Sequence, residues 1–290
     1  MTVEVLRYAA FTENGRGGNP AGVVLDANCL TDAQMLAIAQ AIGYSETAFV
    51  LPVDGSSHLG LRFFSPRAEV AFCGHATIAT AVALAERKGA DKLLFSTRAG
   101  HVEVTTPVEE GQLVATLTSP PTHTRPVDAA VLAQVLAVLA WSESDLDPAY
   151  PAHVAYAGNE HLLLAARSPA RLTNLSYDFS ALSELMAEHQ WTTVCLFRFM
   201  ADSELEVRNA FPPGGVVEDP ATGAAAGALG GYLRDLGLVA TPARLVLHQG
   251  QHVGAPSRLV VNIDSDTRRV RVSGTAAPLA ISPYDELDLP

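Results

Sequence analysis

Ala76-Thr77-Ile78-Ala79-Thr80-Ala81-Val82-Ala83-Leu84-Ala85-Glu86-Arg87 reads as a helix with almost no polar face. Small apolar residues recur at every spacing, so no side of it belongs in water, and the pattern predicts a helix wrapped by sheet, not one lying on a surface. The flanks supply the sheet. Val3–Leu6, Val23–Leu25, Phe49–Leu51, Leu93–Ser96 and Val102–Thr105 are short runs rich in β-branched residues, bounded by Gly, Pro and Asp, as strands are. A second helix is predicted over Thr31–Ile42 from the spacing of Leu36, Ala37, Ala39 and Ile42.

Beyond Ser119-Pro120-Pro121-Thr122-His123-Thr124-Arg125-Pro126, a cluster of turn formers, the order repeats. An amphipathic helix over Asp128–Trp141 is followed by strand candidates at Val154–Tyr156, Leu162–Ala165, Val194–Phe199 and Leu205–Arg208. A second small-residue helix then spans Ala224–Leu236. Leu61-Arg62-Phe63-Phe64-Ser65-Pro66 lies on Val207-Arg208-Asn209-Ala210-Phe211-Pro212 at an offset of 208 − 62 = 146. Gly74-His75-Ala76-Thr77 lies on Asp219-Pro220-Ala221-Thr222 at 222 − 77 = 145. Duplication of this kind predicts two similar domains, over residues 1–118 and 127–275, with the tail 276–290 returning to the first.

The composition limits the partners. The chain has 290 residues, 48% hydrophobic and 17% charged, with a net charge of −12. That is enough apolar material for a core, and a charge that repels phosphate backbones and anionic lipid. A small-molecule partner is expected, with neither nucleic acid nor membrane involved. Cys29, Cys73 and Cys195 show no Cys-x-x-Cys spacing, which fits a reducing compartment and no zinc ribbon. The start, Met1-Thr2-Val3-Glu4-Val5, lacks the basic and apolar regions of an export signal, so a cytoplasmic location is expected.

Four motifs carry a resemblance. Gly18-Asn19-Pro20-Ala21-Gly22-Val23, Tyr44-Ser45-Glu46-Thr47-Ala48-Phe49-Val50, Cys73-Gly74-His75-Ala76-Thr77 and Glu218-Asp219-Pro220-Ala221-Thr222-Gly223 stand in the order and spacing of the phenazine-biosynthesis isomerase-like family. That family resembles diaminopimelate epimerase in fold. The resemblance covers nearly the whole chain. It implies an α/β (α+β) protein of two similar domains, each a β-sheet barrel around a central helix, with an active site in the cleft between them. It further implies a homodimer and an isomerase that needs no cofactor, with the glutamate at position 46 removing and returning the proton.

The residues themselves point to related chemistry. A carboxylate becomes a base near neutral pH when it is desolvated, and Glu46 lies among Tyr44, Ser45, Ala48 and Phe49 where a helix gives way to an apolar strand. On residues alone, Glu46 is equally well the ion-pair partner of an arginine such as Arg62; the resemblance selects the catalytic role. Helix starts at Gly74-His75 and at Gly223-Ala224 present backbone N–H groups and a positive dipole end, suited to a substrate carboxylate or an enolate. His75 is a candidate hydrogen-bond donor, or else a helix-start or core residue. Asp219 is an N-cap, a substrate acceptor, or both. Asn19 and Ser45 are expected to support the site. Cys73 is either a reactive thiol at a helix start or a packed core residue.

Two departures from relatives matter. The epimerases use two facing cysteines, whereas here Cys73 stands near the first position and Asp219-Pro220 near the second, against a two-thiol racemase. Many family members have a serine after the Asp-Pro-Ala-Thr-Gly run, where this chain has Ala224. The rival readings are a serine hydrolase using Ser45 and a binding protein without turnover. Gly43-Tyr44-Ser45-Glu46-Thr47 misses the Gly-x-Ser-x-Gly elbow by one residue, and the expected order of helix, turn, strand is the reverse of an elbow's. His248 and His252 are four apart but flank a predicted turn, so no metal is expected there.

Overall fold

In the computed structural model, residues 2–53, 58–279 and 286–288 are described. The chain divides into two compact units: one runs to Thr118 and resumes at Ser273, and the other is Ser119–Val272.

The first unit is built around the helix Gly74–Lys88, in which every residue from Gly74 to Ala85 is buried. Enclosure follows from composition: alanines let the sheet approach on all sides. The two buried threonines cause no penalty, because Thr77 and Thr80 donate their hydroxyls to the carbonyls of Cys73 and Ala76 at 2.7 Å. Gly89 ends the helix at φ 65°, its N–H donating to Ala85, the usual left-handed stop.

The wrapping sheet runs through Leu6–Ala10, Asn19–Val24, Thr47–Pro52, Leu59–Phe64, Lys92–Thr97, Gly100–Thr105 and Gln112–Thr118, each pairing with the next. The strand Val270–Pro278 closes it, pairing with Leu6–Ala10 on one side and with Gln112–Thr118 on the other. Asn19–Val24 and Thr47–Pro52 are parallel, in register Gly22 to Thr47. A parallel pair needs a crossover, and the helix Asp32–Ile42 supplies it. Thr31 and Gln34 form a capping box at its start. Its buried face (Met35, Ile38, Ala39, Ile42) packs with Val24, Phe49 and Phe64.

The second unit repeats the plan. The helix Gly223–Asp235 is buried from Gly223 to Leu233. Around it run His123–Pro126, His153–Tyr156, Glu160–Ala165, Thr193–Ala201, Glu204–Ala210, Ala243–Gln249 and Ser257–Ile263. Outside the sheet, the helices Ala129–Val138 and Phe179–His189 bury Val135, Leu136, Leu182 and Met186 against Leu162, Leu164, Val194 and Leu196.

The duplication extends to one polar contact. Phe64 pairs with Glu69, and Ala210 pairs with Glu218, in the short return strand before each enclosed helix. In each, the arginine two residues earlier grips that glutamate with both arms of its guanidinium, Arg62 on Glu69 at 2.8 and 2.7 Å and Arg208 on Glu218 at 2.8 and 2.6 Å. The helix starts correspond at 223 − 74 = 149. The sequence register of 145 laid Thr222 on Thr77, but Thr222 is the N-cap of its helix and Thr77 lies inside the other; the three-residue turn Pro212–Gly214 is where the second unit carries extra length.

The Arg208–Glu218 pair is the more buried, with side-chain exposures of 7% and 1%. Removing one member leaves a charge without a partner out of water, so Glu218→Gln is expected to cost about 3–5 kcal/mol in urea unfolding. Replacing both residues, Arg208→Met with Glu218→Leu, is expected to cost clearly less. Equal losses for the single and double variants would show that the charge pair is not what holds this hairpin.

Candidate active site

The strand Thr47–Pro52 sets the position of Glu46. Immediately before that strand, the Glu46 carbonyl accepts the N–H of Gly22 at 3.2 Å. Gly22 has to be glycine for this register, because a Cβ there would lie 2.6 Å from the Thr47 hydroxyl. Asn19, buried, begins the same strand as Gly22. The glycine of the first motif therefore seats the glutamate of the second.

Four of the residues singled out in the sequence come together here. Glu46 Oε2 lies 3.5 Å from His75 Nε2, and Ser45 Oγ lies 3.4 Å from the same nitrogen. Cys73 Sγ donates toward Glu46 Oε2 at 3.6 Å and lies 3.3 Å from His75 Nδ1. Except for the sulfur contacts, these are longer than the ~2.7–3.2 Å of a well-made hydrogen bond, as is common before substrate draws a site together. Arg62 does not take Glu46 as its partner; it is held by Glu69 and Asp32.

The Glu46 side chain is 13% exposed and His75 6%. Burial pushes the Glu46 carboxyl above its ordinary value, and hydrogen bonds from Ser45 and Cys73 partly oppose that shift. Both effects are expected of a carboxylate removed from water but not stripped of donors.

The enclosed helices begin without side-chain caps. Thr31, Asp128 and Asp178 each cap their own peripheral helix through a side-chain oxygen. Cys73 and Thr222, at the N-caps of the enclosed helices, make no such bond. The first-turn N–H groups of Gly74 and His75, and of Gly223 and Ala224, have no acceptor within their own helix. An uncapped helix start of this kind is where an anion is best held.

Asp219 is not the N-cap. It lies in the short strand Glu218–Asp219, and its carboxylate accepts the Thr222 hydroxyl at 2.6 Å. Gln249 ties this turn together, donating to the Asp219 carbonyl at 2.6 Å and accepting the Thr222 N–H at 3.2 Å. Nothing local in the sequence marks Gln249, whose partner Asp219 lies 30 residues away in the chain. His248 and His252 lie beside Glu204 and Glu206, respectively.

A model of the phenazine biosynthesis-like protein family matches residues 8–281. The chain belongs to that family. It is 31% identical to the uncharacterized isomerase YfhB of Bacillus subtilis, with 94% of each chain covered. It is 30% identical to the trans-2,3-dihydro-3-hydroxyanthranilate isomerase of Pseudomonas aeruginosa, covering 93% of this chain and 95% of that one. Among solved structures, the PhzF-family phenazine biosynthesis protein of Bacillus anthracis superposes with a TM-score of 0.88 at 25% identity over all of both chains. A hydroxyproline epimerase from Agrobacterium vitis superposes with a TM-score of 0.67 at 15% identity over 98% of this chain and 93% of that one, a likeness of fold. The expected epimerase-like α/β architecture is thus present, and the chain is an enzyme of the isomerase class. Among the described residues, no helix is long and apolar enough to cross a membrane.

The raised carboxyl of Glu46 has a consequence for stability. Between the ordinary carboxylate value and its own higher one, the folded protein binds this proton more tightly than the unfolded chain. Stability from this group is therefore present at low pH and falls as pH rises through that window. Glu46→Gln is expected to melt higher than wild type at neutral pH, with the difference closing below about pH 4.5. A difference independent of pH in differential scanning calorimetry would show that the fold does not raise the Glu46 carboxyl above its ordinary value.

Proposed function

We propose that this enzyme shifts a proton on a small carboxylate-bearing substrate without a cofactor, with Glu46 as both acid and base. The observation that carries this reading is the largely buried carboxyl of Glu46 beside His75, at the start of an enclosed helix that has no side-chain cap.

As its carboxylate, Glu46 takes a proton from a carbon conjugated with the substrate carboxylate, and the C–H electron pair passes into the conjugated system. The resulting anion is stabilised by the N–H groups of Gly74 and His75 and by a hydrogen bond from the imidazole. Glu46, now protonated, returns the same proton to another carbon of that system. No atom is gained or lost. The matched motif of the second half, with Asp219, Gly223 and Ala224, is assigned to holding the same substrate in a cleft that excludes water. A homodimer is part of the proposal through the family alone.

The substrate of the Pseudomonas aeruginosa relative belongs in the first panel of candidates. Ala224 offers no hydroxyl where many relatives have serine, so conjugated cyclic carboxylates with one polar group fewer belong beside it. The Ser45–His75 contact is the one feature of a nucleophilic dyad. It lacks the third member, because Glu46 approaches the same imidazole nitrogen as Ser45 and leaves Nδ1 to Cys73, whereas a triad's acid orients the opposite nitrogen.

Proton NMR in deuterated water tests the reading. Wild type is expected to isomerise a panel member, with deuterium entering at the carbon that receives the proton whenever Glu46 exchanges with solvent. Glu46→Gln is expected to lower the rate by about 10²–10⁴-fold. Turnover that survives Glu46→Gln, or covalent capture of Ser45 by a fluorophosphonate, would overturn it.

A further inference from the structure

Among the described residues, Glu46, Cys73 and His75 form a group of three metal-capable side chains whose donor atoms lie within 4.8 Å of one another. We propose that this trio is an inhibitory site for a thiophilic divalent cation, of which zinc is the type. The ion binds in place of substrate and is not a reagent. The inhibition, though not the binding, rests on Glu46 being the base.

The separations suit such an ion. Around a tetrahedral zinc, bond lengths of ~2.3 Å to sulfur and ~2.0–2.1 Å to nitrogen or oxygen place sulfur about 3.6 Å from the other donors and nitrogen about 3.4 Å from oxygen. Here Cys73 Sγ is 3.6 Å from Glu46 Oε2 and 3.8 Å from His75 Nε2, and Nε2 is 3.5 Å from Oε2. Sγ now lies closer to Nδ1, at 3.3 Å, so the imidazole has to turn for Nε2 to face the ion. Ser45 Oγ, 3.4 Å from Nε2, or a solvent molecule completes the fourth position.

Charge and chemistry agree with the distances. A thiolate and a carboxylate neutralise a divalent cation, which matters at the positive end of a helix. Sulfur and imidazole select zinc over magnesium or calcium, which take oxygen. On binding, the S–H bond of Cys73 breaks, its proton passes to solvent, and a metal–sulfur bond forms. Glu46 binds as its carboxylate, and a carboxylate held by zinc cannot accept a proton from carbon.

Neither of the other cysteines shares this arrangement. Cys195 is buried, and burial pushes its thiol up. Cys29 is exposed, so the test is run in a Cys29→Ser background.

Cobalt titration reads the site directly. The expected result is a near-ultraviolet thiolate-to-cobalt charge-transfer band with tetrahedral visible bands, lost in Cys73→Ser. Displacement by zinc should weaken at least ~10-fold in His75→Asn and Glu46→Gln. As a measurement independent of the folding of Cys73→Ser, zinc protection of Cys73 against iodoacetamide is mapped by mass spectrometry on the Cys29→Ser protein. Absence of both the band and the protection, or a band that persists in folded Cys73→Ser, would overturn the site. Binding without loss of isomerisation, reversible by EDTA, would overturn the inhibition. Failure of the catalytic reading itself is seen separately, as turnover in metal-free Glu46→Gln.

Discussion

A helix with no polar face cannot lie on a surface, and the rest of the molecule follows from enclosing it. The sheet has to close around Gly74–Lys88, which requires eight strand segments including Val270–Pro278, so the chain comes back to its first unit after finishing the second. Enclosure also decides what happens at the helix start. A buried backbone N–H without an acceptor costs about 1–3 kcal/mol, and the peripheral helices avoid that through Thr31, Asp128 and Asp178. The enclosed helices instead have Cys73 and Thr222 at the N-cap, with no capping bond from either. Acceptors for these two ends therefore come from somewhere other than the N-cap side chain.

The bidentate Arg62–Glu69 and Arg208–Glu218 contacts bear on that end directly. Each ties a sheet strand to the short return strand, and the return strand delivers the chain to the N-cap. These contacts therefore set the angle at which each enclosed helix begins. A fork-shaped guanidinium suits the task because two parallel hydrogen bonds fix direction as well as distance.

Much of this was readable from residues because the signals were local. The all-apolar helix pattern and the β-branched runs each depend on neighbours a few positions away, and the helices Asp32–Ile42 and Gly74–Lys88 form within two residues of expectation, whereas Val23–Leu25 is only the end of a strand that begins at Asn19 and Val3–Leu6 is divided between two strands. The helix Phe179–His189 lies outside the expected elements although Asp178, Leu182, Leu185 and Met186 carry its cap and its apolar face, a local signal of the same kind. The repeat is legible in the sequence but its register past Pro212 is not, since alanine-rich stretches match one another at several offsets and only strand pairing distinguishes 145 from 149. The sequence does not decide between a thiol role and a core role for Cys73, because its place beside Glu46 depends on bringing residues 27 apart in the chain together. Gln249 depends on a longer closure still, 30 residues from Asp219.

The two units differ where chemistry would use them, and the difference bears on mechanism. Laying Phe64 on Ala210 puts the pair Thr47–Phe64 on Val194–Ala210, and hence Glu46 on Thr193. Thr193 is buried and fully engaged: its hydroxyl donates to Asn209 Oδ1 at 2.8 Å and lies 2.8 Å from His161 Nδ1. Burial pushes His161 down to about 3, so it stays neutral and carries no proton to and fro at physiological pH. The duplicated scaffold thus places a desolvated carboxylate at this position in one copy and a buried, neutral network in the other, in which His161 Nε2 and Asn209 Nδ2 have no hydrogen-bond partner among the described residues. A racemase that inverts a carbon needs a proton carrier on each face. A single carrier that takes a proton and gives it back on the same face suits a shift between two carbons of one conjugated system, the reaction proposed above for Glu46, and the corresponding position of the second unit, Thr193, has no acid or base of its own.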